Sequence, residues 1–510
     1  MTDILLTTLN ARYSHASLGL RYLRANLGEL RAHSRILEFV IGQKTEEMVE
    51  QLLAERPRII GIGVYIWNVE ESTRLVAQLK VLAPEIRIVL GGPEVSHEVE
   101  EQRICALADH VITGWGDVSF ATLCRQLLAG EAAARVIAGV QPPLAAIASP
   151  YEEYTDEDVR QRHLYVEASR GCPFQCEFCL SALDQTAWPF PLEPFLADID
   201  RLYQRGARQF KFVDRTFNLK VDTSLAILGY FLARIEAAPE DPPFVHFELI
   251  PDHLPERLKA AIARFPAGTL QFEIGIQTFN PEVQARISRR QKNGVAEANL
   301  RWLREHSKAH LHVDLIAGLP GEDLDSFAAG FDRLVALEPH EIQFGILKRL
   351  RGAPIARHTS AHQMRYSPDP PYTILATDVI DFPAMQRLIR FARYWDLVAN
   401  SGRFPRTLAR LLGEAPFAHF LAFSDWLWAR TRQTHALAHE RLANLLYTHL
   451  IEREPASVED AASTVLQDYR SAGGRSRLLF EDAHSKVPPP RPRAQRATPE
   501  RQGRHLEASG

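Results

Sequence analysis

Apolar and polar positions along this chain follow two successive rhythms. Over the first 140 residues, short apolar runs at 4–9, 35–40, 59–67, 86–90 and 110–113 alternate with stretches such as 18–30 and 69–82, where apolar residues recur three and four apart. Runs this uniformly apolar predict strands buried on both faces, and the stretches between them predict covering amphipathic helices. Five such units predict a flavodoxin-like, doubly wound α/β domain over residues 1–140, an architecture that holds ligands at the carboxyl ends of its strands. Residues 141–163, with Pro142-Pro143 and the acidic stretch 152–158, predict a linker.

The strand–helix rhythm resumes at Leu164, with strand-like runs at 165–168, 209–213, 245–250, 270–276, 310–316 and 341–347. Six units at roughly 30–45 residue intervals predict a partial (β/α)6, TIM-like barrel over residues 164–355, shorter than the eight-unit barrel. Residues 356–485 change texture: amphipathic stretches at 384–400, 406–412, 417–431 and 436–453 predict a helical domain. Residues 486–510 hold five prolines and six Lys/Arg against two Glu, which predicts a disordered tail.

Composition narrows the class without naming a chemistry. The 510 residues are 46% hydrophobic and 24% charged, the balance of a globular protein able to bury a large core. A formal net charge of −4, with no basic, aromatic-interleaved stripe, gives no clear nucleic-acid surface. No run of 18 uninterrupted apolar residues occurs, and the amino terminus lacks a basic region followed by an apolar signal core, so no membrane partner is expected. Five cysteines are too few for a disulfide framework and point to a reduced, cytoplasmic setting.

Three of those cysteines are the most informative feature. Cys172, Cys176 and Cys179 are spaced C-x3-C-x2-C directly after the first strand of the second unit. Thiolates at this density suit zinc or an iron–sulfur cluster. A zinc knuckle needs a fourth ligand, for which His246 and His312 are the candidates. A cluster held by three thiolates leaves one iron open for substrate chemistry. Cys105 and Cys124 fall in helix-like stretches and read as small buried hydrophobes.

The loop, with Phe178 immediately before Cys179, resembles the signature of the radical S-adenosylmethionine (SAM) enzymes. That resemblance implies that the three cysteines hold a [4Fe–4S] cluster, that SAM chelates the fourth iron, and that one-electron reduction by a flavodoxin- or ferredoxin-type donor yields a 5′-deoxyadenosyl radical. It also implies SAM contacts. Asp214 would lie on the second strand, Glu273 and Gln277 (beside Gly275) on the fourth, and Asp314 and Gly318 on the fifth, with Phe178 at the cluster and Arg289 or Arg290 on the SAM carboxylate. Glu248 stands on the third strand. A doubly wound domain ahead of such a loop resembles the cobalamin-binding radical SAM proteins, in a branch with a helical carboxy-terminal extension. The cobalamin contacts so implied are Tyr65, Trp67 and Asn68 after the third strand, the turn Gly91, Gly92, Pro93 and Ser96 after the fourth, and Gly114 and Gly116, flanking Trp115 and followed by Asp117, after the fifth.

The D-x-H-x-x-G pattern that supplies a cobalt-ligating histidine is missing: Ser14-His15-Ala16-Ser17-Leu18-Gly19 has serine where aspartate would stand. His15 therefore reads as a loop residue, and cobalamin is expected without an assigned lower ligand. The expected function is methylation of an unactivated carbon in a small-molecule, peptide or RNA substrate. The alternatives are a radical cyclisation or rearrangement, and more remotely a non-catalytic corrinoid- or zinc-binding module.

Overall fold

The computed structural model describes residues 2–454, 457–481 and 500–508. It divides into two compact units. The first holds the residues up to Thr216 together with Lys348–Arg357 and Tyr366–Thr373; the second holds Phe217–Leu347, His358–Arg365 and the described residues from Ile374 on.

The first unit is built on a six-stranded sheet: β1 (Ile4–Asn10), β2 (Ser34–Val40), β3 (Ile59–Gly63), β4 (Arg87–Gly91), β5 (His110–Thr113) and β6 (Val136–Ala138). The strands are parallel, in the order β2-β1-β3-β4-β5-β6. Every residue of β1 is buried, because its alternate side chains enter two different cores: Leu5 and Leu9 one, Ile4 and Leu6 the other. Each such side chain contributes on the order of 1.5–3 kcal/mol. Since β1 lies between β2 and β3, the winding reverses there, and a crevice opens at the carboxyl ends of the strands.

Two expectations for this region need correction. Strand β3 ends at Gly63, not at residue 67, because the Asn68 side chain takes up backbone groups around the turn: Tyr65 N donates to its Oδ1 at 2.8 Å. A sixth, edge strand joins the five expected; being only three residues long and largely exposed, it left no periodic signal.

The expected linker is packed structure. Tyr151 and Tyr154 are buried, Thr155 and Asp158 form a capping box on the helix Asp156–Gln161, and Tyr154 Oη donates to Tyr165 O at 2.7 Å in β7 (Leu164–Val166). Tyrosines bury well when the hydroxyl finds a partner, which an acidic composition does not reveal. The antiparallel pair β8 (Ser169–Gly171) and β9 (Ala187–Pro189) brackets the cysteine loop, and β10 (Gln209–Phe212) pairs in parallel with β7.

In the second unit β11 (Phe244–Leu249), β12 (Leu270–Gln277), β13 (His310–Ala317) and β14 (Glu341–Ile346) pair successively in parallel. The region read as a partial barrel thus supplies six parallel strands, two in the first unit and four in the second. Along β12 buried and half-buried residues alternate strictly, so Gln271, Glu273, Gly275 and Gln277 share one face.

Helices Phe382–Trp395, Pro405–Leu412, Pro416–Thr431 and His439–Arg453 follow, the first continuing as a π-turn to Asn400. Phe391, Trp395, Phe417 and Phe420 pack together as their core. A further helix, Val458–Ser471, went unpredicted because two alanines, Ala461 and Ala462, carry part of its buried stripe. The tail also differs from expectation. Glu500–Ala508 is a helix, and Arg501 Nε and Arg504 Nε each donate at 2.7 Å to Asn400 O and Ser401 O at the end of the π-turn, where cations are favoured. The rest of that predicted tail, 486–499 and 509–510, lies outside the described residues. Among the described residues no helix is long and apolar enough to cross a membrane.

Candidate active site

The cysteine loop is shaped before any ligand is considered. Gly171 has φ +84°, and a Cβ there would lie 2.4 Å from Thr186 O, so only glycine lets the strand turn into Cys172. Cys179 N donates to Cys176 O at 3.0 Å and closes the end of the loop. Cys172 is buried; Cys176, Phe178 and Cys179 are half-buried. Burial pushes the Cys172 thiol up to about 11, and the neighbouring Cys176 and Cys179 add to the rise while Phe174 N opposes it. Three thiols gathered in one loop suit a cationic metal cluster, which would displace their protons.

The histidines considered for a zinc knuckle have carboxylate neighbours. Among the described residues no three His, Cys, Asp or Glu side chains converge to hold a single metal ion. His246 Nε2 lies 3.3 Å from Glu273, and His312 flanks Asp314 and Glu341. Asp214 braces the loop. It is fully buried, and its carboxylate accepts from Ala168 N (3.0 Å) and Ser169 Oγ (2.6 Å). Burial pushes it up to about 7.

Against this loop lies a cavity of about 590 Å³. Its floor is made by the ends of β3, β4 and β5, where Tyr65, Gly91, Gly92, Pro93, Ser96, Gly114 and Gly116 all line it. Trp67 and Asn68, expected beside them, do not. Trp67 is 46% exposed and stacks on Tyr65 with ring centroids 4.4 Å apart. Asn68 is fully buried and donates to Leu9 O and Thr8 Oγ1, tying β1 to the β3 turn. Ser96 Oγ receives Gly114 N at 3.0 Å and so joins the β4 and β5 turns. His15 is absent from the lining; its Nδ1 meets Tyr165 Oη, and Ser17 caps the next helix. The cavity's apolar lining and row of glycines suit a large flat ligand brought close to the backbone.

The remaining candidates belong to the second unit. At the end of β12 the pairing with β13 slips between Gly275 and Gln277, Gln277 takes φ +69°, and its buried Oε1 has no hydrogen-bond partner among the described residues. An unpaired acceptor on a strand end at positive φ leaves Gln277 able to receive a hydrogen bond from a ligand. Arg289 Nη2 donates to Gly275 O and, at 2.8 Å, to Gln291 Oε1. Glu273 and Asp314 are half-buried. Gly318 is explained by packing: a Cβ there would lie 2.6 Å from Ile374 Cγ2.

Known proteins match this arrangement in pieces. The family described as B12 binding domain matches residues 4–124, and the radical SAM superfamily matches residues 166–334. The chain carries a B12-binding domain followed by a radical SAM domain. Residues 360–475 match a family described as a protein of unknown function, DUF4080. The chain is 26% identical over 245 residues to an uncharacterized methyltransferase of Pyrococcus horikoshii, covering 41% of this chain and 52% of that one. It is 23% identical over 330 residues to the cobalamin-dependent radical SAM methyltransferase TokK of Streptomyces tokunonensis, covering 58% and 47%. The chain thus spans about half the length of these relatives. Among solved structures, the cobalamin-dependent radical enzyme OxsB with aqua-cobalamin bound superposes with a TM-score of 0.62 at 13% identity, covering 91% of this chain and 83% of OxsB. The methyltransferase TsrM of Kitasatospora setae, with cobalamin and a [4Fe–4S] cluster bound, gives 0.58 at 17% identity, covering 73% and 79%. At such identities the likeness establishes the fold.

Several residues around the cysteine loop and the cavity left little trace in the sequence. Glu177, between two cysteines, is buried, pairs with Arg357, and accepts Ile355 N at 2.9 Å through its carbonyl. Glu94 accepts from Tyr372 Oη (2.7 Å) and Arg351 Nε (3.1 Å), while Arg349 and Arg351 both reach Glu98. The segment after β14 therefore clamps both the cysteine loop and the turn after β4. Ion pairs across some 250 residues of chain have no local signature.

In the second unit Glu322 is buried, accepts from Thr278 Oγ1 and is raised by that burial to about 7. In the unfolded chain it ionises near 4.3, so between about pH 4.3 and 7 the folded state binds the extra proton. Stability is then highest below that window and falls as pH rises through it. Glu322→Gln is expected to flatten the fall, which thermal unfolding from pH 5 to 8.5 measures.

Proposed function

We propose that this radical SAM protein is a cobalamin-dependent methyltransferase that adds a methyl group to an unactivated carbon. The observation that carries this reading is a shared wall: residues on both sides of the three cysteines also line the glycine-floored cavity. Cys172, Cys176 and Cys179 would hold the [4Fe–4S] cluster. The floor residues from Tyr65 to Gly116 would receive cobalamin, and Gln277, with Glu273, Asp314 and Arg289, would contact SAM. When bound, the cluster supplies the electron that cleaves SAM, and the corrinoid carries the methyl group.

The chain's own tasks are positional. Asp214 sets the loop that presents the thiols, the clamp from Arg349 and Arg351 holds the β4 turn, and the cavity's apolar lining excludes water. A one-electron donor of the flavodoxin or ferredoxin type would complete the system. The relatives named as methyltransferases support transfer of a methyl group over rearrangement.

The test is anaerobic. Reconstituted protein loaded with cobalamin is incubated with SAM and a strong reductant, and the products are separated. Both S-adenosylhomocysteine and 5′-deoxyadenosine are expected. Deoxyadenosine alone, from protein shown to hold corrinoid, would favour a cyclase or rearranging enzyme and overturn the methyltransferase reading.

A further inference from the structure

The cavity wall contributed by the cysteine loop is chemically unlike the floor. It consists of Arg170 and Gly171 before Cys172, and Leu180, Ser181, Leu183 and Asp184 after Cys179. Two of these residues are charged, and they complement one another. The Arg170 guanidinium is held firmly: Nε donates to Glu167 Oε1 at 2.7 Å and Nη1 to Asp117 Oδ2 at 2.9 Å. Its central carbon lies 4.3 Å from the Tyr22 ring centroid and 5.0 Å from that of Trp115. Its Nη2 has no hydrogen bond among the described residues, so a fixed donor remains at the cavity. No hydrogen bond or ion pair among the described residues reaches the Asp184 carboxylate either, and burial alone raises it.

One wall therefore offers an unused donor and an unused acceptor. Carboxamides suit both, since their carbonyls accept and their NH₂ groups donate. The edge of cobalamin's corrin ring carries acetamide and propionamide side chains, whereas a free-acid corrinoid carries carboxylates that Asp184 would repel and that Arg170, its charge already offset by Glu167 and Asp117, would not hold strongly enough to compensate. We propose that Arg170 and Asp184 read the carboxamide edge of the corrin, Arg170 donating to an amide carbonyl and Asp184 accepting from an amide N–H. This deepens, and rests on, the cobalamin reading above. It makes the cysteine loop a selectivity element of the corrinoid site, so that correct loading depends on the loop that carries the cluster ligands.

The test compares two ligands that both lack the nucleotide tail: cobinamide, with an amide periphery, and cobyrinic acid, with a carboxylate periphery. Equilibrium dialysis under anaerobic conditions gives their affinities for the full-length, cluster-reconstituted protein, with iron content measured on each sample. The wild type is expected to prefer cobinamide by about a hundredfold, since a site that sets a carboxylate against several ligand carboxylates discriminates strongly. Asp184→Asn, which removes the repulsion, is expected to reduce that preference about tenfold at unchanged iron content. Arg170→Lys, which loses the planar fork, is expected to weaken cobinamide about tenfold. If the wild type binds cobinamide but shows no preference, or Asp184→Asn leaves the preference intact, the inference is wrong and the cobalamin reading stands. If the wild type, with its cluster in place, binds neither cobinamide nor cobalamin, both fall.

Discussion

Replacing Cys176 by alanine should remove the brown absorbance of the reconstituted protein and abolish reductive cleavage of SAM. With only three thiols in the loop, none is redundant, and iron and sulfide retention should drop at least about tenfold. The fold should survive, because Cys176 is half-buried and the bond that closes the loop uses its carbonyl, which alanine keeps. Metal-free wild type and variant should therefore unfold within about 0.5 kcal/mol of each other. Iron analysis, absorption spectra and deoxyadenosine formation on matched anaerobic samples provide the check. A variant that keeps its iron and still cleaves SAM would remove the cluster assignment.

The second large effect separates two adjacent glycines. Gly91 and Gly92 both line the cavity, but they are glycines for different reasons. A Cβ on Gly91 would meet nothing nearer than Ile112 O at 3.9 Å, so a side chain there enters open space. At Gly92, with φ +109°, a Cβ would lie 2.5 Å from Val64 O and 3.0 Å from Val64 N, so it collides with the backbone of the β3 turn. Gly91→Leu should fill the floor, weaken cobalamin binding about tenfold to a hundredfold, and leave thermal stability and iron content close to wild type. Gly92→Val should lose cobalamin together with stability, because a β-branched residue at positive φ adds on the order of 1–3 kcal/mol of strain before the clash is counted. Retained cobalamin in Gly91→Leu at normal iron content would show that the corrinoid does not use this cavity.

What was legible in the sequence follows from periodicity and from close spacing. Apolar residues, in runs or at every second position, located β1, β2, β4 and β5 of the first sheet and the six parallel strands after Leu164, since each strand face that meets a core must be apolar. The cysteines were legible because all three thiols stand in one loop, and glycines at strand ends marked the cavity floor because the turns at Gly92 and Gly114 take positive φ and Gly91 keeps the floor free of a side chain. Packed segments with polar composition misled: Tyr151 and Tyr154 hid a folded connection, and a basic, proline-containing stretch hid a helix docked on backbone carbonyls.

By itself, then, the sequence determined the order of the main strands and helices, the thiol set and the glycine turns, because each is written in residues a few positions apart. Only the tertiary structure decided that Asn68 is a brace and Trp67 stands outside the cavity, that Asp214 holds the cysteine loop, and that Arg170 and Asp184 share a wall with the glycine floor. Those facts depend on which distant backbone groups and charges a side chain meets once the chain is compact. Burial then makes each unmet polar group costly enough to be either paired or left facing a ligand.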